Sequence, residues 1–123
     1  MKSLLFSFVE ITIPRVFGMP TFLMISRHSP ENCPMFNEKT RKVMMECMDK
    51  IDGLAKKYGV KRLGSWTVPN EHLGFEVYEA PSLEALTKLF MEPVTLALGA
   101  FETCEVKAAF TYEETAKMMP KAK

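Results

Sequence analysis

The stretch Thr21-Phe22-Leu23-Met24-Ile25-Ser26-Arg27-His28-Ser29-Pro30 constrains the chain most. Its first half is almost uniformly apolar, which suits a central strand covered on both faces rather than an edge strand with one wet side. Ser29-Pro30-Glu31-Asn32 then breaks it, so the strand ends in a histidine and a turn. A buried strand must be flanked by other strands and covered by helices, and the remaining sequence supplies both.

Pro34 fits the first turn of a helix, where its missing N–H costs nothing. From there to Tyr58, residues Val43/Met44, Cys47, Ile51, Leu54/Ala55 and Tyr58 form one helical stripe, and Gly59 is a natural stop. Residues 60–67 read as a second strand, 68–71 as a turn, and His72 to Glu79 as an alternating third strand. Its alternation puts Leu73, Phe75 and Val77 under the helices and His72, Gly74, Glu76 and Tyr78 on an open face. Ser82 is an N-cap for a helix from Leu83 to Met91. Residues 101–110 give a fourth strand, and Thr111-Tyr112-Glu113-Glu114 is a capping box opening a short last helix. The predicted class is α+β, a ferredoxin-like β-α-β-β-α-β plan with antiparallel sheet order 4-1-3-2. The domain spans 20–110, with a C-terminal helix and tail over 111–123.

Residues 1–19 are read as an extension. Two readings of it stay open: an extra edge strand over 4–13, or upstream sequence before a start at Met19. Glu10 cuts its apolar run short, which argues against a signal peptide. No run is long enough to span a bilayer, so no membrane partner is expected. Three cysteines without a CxxC pair argue for a reducing, cytoplasmic setting. A net charge of +1 gives no basic stripe for nucleic acid, and Glu76 sits where an RNA-binding sheet needs an aromatic.

Topology gathers chemistry at one end of the sheet. The end of strand 1, the end of strand 2 and the starts of strands 3 and 4 meet there, bringing His28, Trp66, His72 and Cys104 together, with Glu31 and Cys33 on the adjoining loop. His28 is the expected proton-transfer residue. Ser26, Arg62, Trp66, His72, Glu76 and Tyr78 are expected to line a site for a small, partly apolar molecule on the open face. Glu76 is the sharpest of these, because a carboxylate in mid-strand needs a partner, a pocket or water. No spacing matches a zinc motif, so neither a metal nor a cofactor is expected. Cys33, near a helix start, is the one thiol expected to be reactive. Phe22, Met24, Trp66 and Tyr78 on the open face would form an apolar patch large enough to expect a homodimer.

The segment from Phe22 to Pro30, Gly64-Ser65-Trp66 and the strand plan resemble the dimeric α+β-barrel superfamily, over roughly residues 20–110. The closest likeness is to its small YCII-like and stress-responsive members. That resemblance implies two sheets packed face to face around a cavity, and a cofactor-independent oxygenase or isomerase as the reaction class. YCII-like proteins are similar in placing a histidine near the end of the first strand. They pair it with an aspartate that has no match here, since Asp49 and Asp52 sit on the first helix. The alternative is a non-catalytic accessory subunit that uses its sheet face for assembly.

Overall fold

The computed structural model describes residues 19–121. Both readings of the N-terminal extension lie outside these residues. The strands are β1 (Thr21–His28), β2 (Lys61–Val68), β3 (Leu73–Glu79) and β4 (Glu102–Ala109). The helices are α1 (Glu38–Lys56), α2 (Leu83–Phe90), α3 (Pro93–Leu96) and α4 (Tyr112–Met118). The helix boundaries follow their caps. Asn37 Oδ1 accepts from the N–H groups of Lys39 and Thr40 and starts α1. Gly59, at φ 70°, ends the turn beyond α1, where only glycine is unstrained. Ser82 caps α2, and Thr111 and Glu114 form the capping box of α4.

The sheet order is β2-β3-β1-β4, all neighbours antiparallel. Counted from β4, the same neighbours read 4-1-3-2. The expected barrel is overturned. Among the described residues the sheet is open, with β2 and β4 as edges that do not pair with each other. These residues form an α+β domain with an open four-stranded sheet and four α-helices.

The core lies on one side of that sheet. Phe22, Met24 and Tyr78 pack against Cys47, Ile51 and Ala55 of α1 and Leu86 and Leu89 of α2. Each fully buried large aliphatic side chain contributes about 1.5–3 kcal/mol. This reverses the expected faces. Register pairs Phe22 with Tyr78, Met24 with Glu76 and Ser26 with Gly74, so these residues share the helix-covered side. Leu73, Phe75 and Val77 point the other way. The apolar patch expected from Phe22, Met24 and Tyr78 is therefore core. The alternation of β3 misled because Tyr78, on the side that looks more polar, is fully buried as core, while β1, apolar on both faces, offers no contrast to correct it.

Trp66 departs from its strand for a different reason. The β2–β3 register shifts between Arg62 and Gly64, so a β-bulge interrupts the alternation. Arg62 stays on the helix side and Trp66 emerges on the open face, 58% exposed. Its ring lies over Gly64, where any Cβ would clash with the indole.

Candidate functional site

The helix-covered side of the sheet turns polar toward the end of β1. Glu76 is at its centre. Tyr78 donates to its Oε1 at 2.7 Å and Ser65 donates to its Oε2 at 3.2 Å. Arg62 Nη1 stands 4.0 Å from the same carboxylate, both side chains being largely buried. Arg62 is itself held by Asp52 of α1 through two bonds, Nε to Oδ1 at 2.9 Å and Nη2 to Oδ2 at 3.0 Å. That bidentate pair ties helix to sheet and raises the guanidinium further above its ordinary value. Gly74 leaves room beside this group, for a Cβ there would meet Ser26 Oγ at 2.8 Å.

Burial and accumulated negative charge shift the neighbouring groups. Glu102 is pushed up to about 7, by burial first and then by Glu76. Burial and the Glu76 carboxylate push the Tyr78 hydroxyl up, so it stays a donor. Cys47 rises to about 11, again by burial first and then by the two carboxylates, so its thiol stays protonated at neutral pH. On β4 the side chains that share this face, Cys104, Val106 and Ala108, are exposed. The polar group is thus open to solvent along that edge.

A second constellation sits at the end of β1. His72 has the left-handed conformation, φ 55° and ψ 46°, uncommon for a residue with a Cβ. It is the residue that ends a 3-10 turn over Pro69–Glu71, not the start of β3 as expected. Its N–H donates to Pro69 and its carbonyl accepts from the His28 N–H, both at 3.2 Å. The two imidazoles meet edge to face at 5.3 Å. Burial, then the neighbouring His72, holds His28 below the ordinary imidazole range. Cys33, on the loop after β1, is buried. One ligand atom from each of His28, Cys33 and His72 lies within 4.8 Å of the others. Nε2 of His28 and Nδ1 of His72 are buried without a hydrogen-bond partner among the described residues.

The residues expected from sequence therefore divide. Ser26, Arg62, Glu76 and Tyr78 share the helix-covered side, but not on an open face. His28 and His72 form a corner with Cys33. Trp66 is on the opposite side and lines neither group. Sequence reading missed Ser65 and Glu102. Glu102 had a readable signal, an acid in step with Cys104, Val106 and Ala108 at the strand start that pairs with His28. Ser65 had none, because the bulge decides which way it points. Cys33, expected as the reactive thiol from its place near a helix start, is enclosed.

No helix among the described residues is long and apolar enough to cross a membrane. No curated protein matches the chain. The resemblance to YCII-like and stress-responsive barrel proteins does not stand, since the sheet is open and a different family model matches residues 21–123. That match covers all four strands and all four helices, and the chain belongs to the family described as a domain of unknown function, DUF3303.

Proposed function

We propose that this domain binds a small, partly apolar molecule on the helix-covered side of its sheet, and that Glu76 is the group that recognises it. The observation that carries the reading is a largely buried carboxylate in mid-strand, fixed by Tyr78, Ser65 and Arg62, on the side of the sheet where the β4 side chains Cys104, Val106 and Ala108 are exposed. A carboxylate accepts about four hydrogen bonds, and Tyr78 and Ser65 use two. With Glu102 nearby and Arg62 already neutralised by Asp52, the local field favours a neutral or cationic molecule carrying an N–H or O–H donor. Met24 and Val106 supply apolar contact. The reading stops at binding. The oxygenase or isomerase chemistry rested on the barrel resemblance alone and forms no part of this proposal.

Native and denaturing mass spectrometry of the purified protein test this directly. A non-covalent organic mass that disappears on denaturation, and is missing from Glu76→Gln, is the expected result. An adduct kept in full by Glu76→Gln overturns the reading. So does the absence of both an adduct and any thermal shift with amine- and hydroxyl-bearing probes.

A second reading has its own support in the face away from α1 and α2. Leu23, Ile25, Phe75 and Val77 are half-buried there, and Trp66 and Leu63 are exposed. Such a surface suits assembly with a second copy, which needs no closed barrel. Sedimentation should give a dimer that Trp66→Glu converts to monomer. A wild-type monomer at all concentrations removes this reading.

A further inference from the structure

We propose that Nε2 of His28, Nδ1 of His72 and Sγ of Cys33 form a binding site for a zinc-class divalent transition metal. Two imidazoles and one thiolate are a donor set that zinc, cobalt and their neighbours accept, and hard ions such as magnesium and calcium do not. The three donors come from two loops and a strand end, converging from widely separated positions in the chain. One ligand atom from each of the three residues already lies within 4.8 Å of the others. Donors on one tetrahedral zinc are about 3.3–3.8 Å apart, given bonds of about 2.0–2.3 Å. Closure therefore needs a contraction on the order of 1 Å.

The independent observation is the pair of orphaned nitrogens. A buried imidazole nitrogen without a partner carries a desolvation cost, and native interiors rarely leave two side by side. A metal ion satisfies both at once. The backbone is arranged to hold them there. His72 occupies a left-handed conformation that its side chain makes costly, pinned by bonds to Pro69 and His28. The Cys33 loop is tied by its carbonyl accepting from Phe36 and Asn37, and by Thr40 Oγ1 donating to Asn32. Binding converts the Cys33 thiol to a thiolate with release of one proton to solvent. Three protein donors leave the fourth position for water or another small ligand, as in open zinc sites. This site goes beyond the Glu76 reading and does not depend on it, and it makes His28 a ligand instead of a proton carrier.

The test uses the full chain, stripped by dialysis against a chelator and titrated with Co2+ and then Zn2+. One Co2+ per chain is expected, with tetrahedral visible bands and a thiolate-to-cobalt charge-transfer band, both displaced by Zn2+. Cys33→Ser should abolish the charge-transfer band, and His28→Ala and His72→Ala should each weaken Zn2+ binding by about 100-fold or more, beyond the 10–100-fold known for outer-shell changes. Cys104→Ser, which alters the exposed thiol, should leave spectrum and affinity unchanged. Circular dichroism establishes that each variant is folded. Substoichiometric cobalt, a spectrum without the thiolate band, or folded Cys33→Ser, His28→Ala and His72→Ala proteins that bind as tightly as wild type would overturn the proposal.

Discussion

Strand β1 carries two chemistries on one face. Phe22 and Met24, at its start, are 7% and 6% exposed and lie under α1 and α2. Ser26 and His28, two and four residues beyond Met24, meet Gly74, Glu102 and His72 instead. The first half is closed by shape: Tyr78 packs edge to face on Phe90 at 5.5 Å, among Ile51, Leu86 and Leu89. The second half holds the Glu102 carboxylate, two imidazoles and two thiols, with two nitrogens unsatisfied, and Glu76, level with Met24, stands at the boundary. A strand selected only for stability would have continued the apolar pattern, since filling that end with aliphatic groups is the cheaper solution. Stability therefore resides at one end of this face, and the polar groups that stability does not explain are gathered at the other.

The largest break in the comparison comes from the apolar half. Ile51→Ala or Leu86→Ala empties a site with 1% or no exposure. Each should cost about 2–5 kcal/mol of unfolding free energy, read from urea midpoints. His28→Ala, in the polar half, removes no close-packed aliphatic volume and should cost clearly less. If His28→Ala proved as damaging as Ile51→Ala, the division would be wrong and the polar end would be core.

Tyr78 spans the two halves, with its ring in the core and its hydroxyl on Glu76. Tyr78→Phe keeps the ring and removes one donor from a carboxylate that retains Ser65 and Arg62. A loss of about 1.5–3 kcal/mol is expected for a hydrogen bond to a charged group, within the lower part of the core range. A loss near zero would mean that solvent replaces the hydroxyl freely, and Glu76 would not be the enclosed group described above.

How far the sequence revealed this division differs between its parts. The strands and helices were readable because caps and breakers are local: Ser82, Gly59 and the Thr111–Glu114 box act within a few residues of themselves. The gathering of His28, His72 and Cys33 at one sheet end followed from strand direction alone. The faces were not readable. β1 is apolar on both sides, so period-2 counting finds no inside, and Tyr78, polar by name, belongs to the core by volume. The bulge beside Gly64 then moved Trp66 away from Arg62, a register event that no alternation pattern reports. The left-handed turn at His72 was equally hidden, since Glu71-His72-Leu73 carries no glycine to announce it.

A pH experiment sharpens the same boundary at Glu102. Its folded-state pKa, pushed up to about 7, lies above the ordinary carboxylate value of 4.5. The folded state thus holds the proton longer than the unfolded chain, and stability falls as pH rises from about 4.5 to about 7. Glu102→Gln should flatten that decline, visible as a thermal midpoint that holds between pH 5 and 7 on the order of the wild-type value at the acid end. An unchanged slope in the variant would place the decline elsewhere.

The smallest expected effect has the opposite sign and lies outside both halves. Asp52 is held below its ordinary value by its hydrogen bonds to Arg62. Its stabilisation is therefore full above about pH 4 and is lost as pH falls through the folded-state value. Its side chain is 64% exposed, so water and salt screen the pair. Asp52→Asn should cost only about 0.2–1 kcal/mol at neutral pH, less at high ionic strength. A double-mutant cycle with Glu76→Gln decides what Asp52 does for the site. If Asp52 only fastens α1 to β2, the two losses add. If neutralising Arg62 leaves Glu76 free for a ligand, losing Asp52 turns the guanidinium fully onto Glu76, and the losses couple. Additive losses would sever Asp52 from the site and leave recognition to the groups on the sheet.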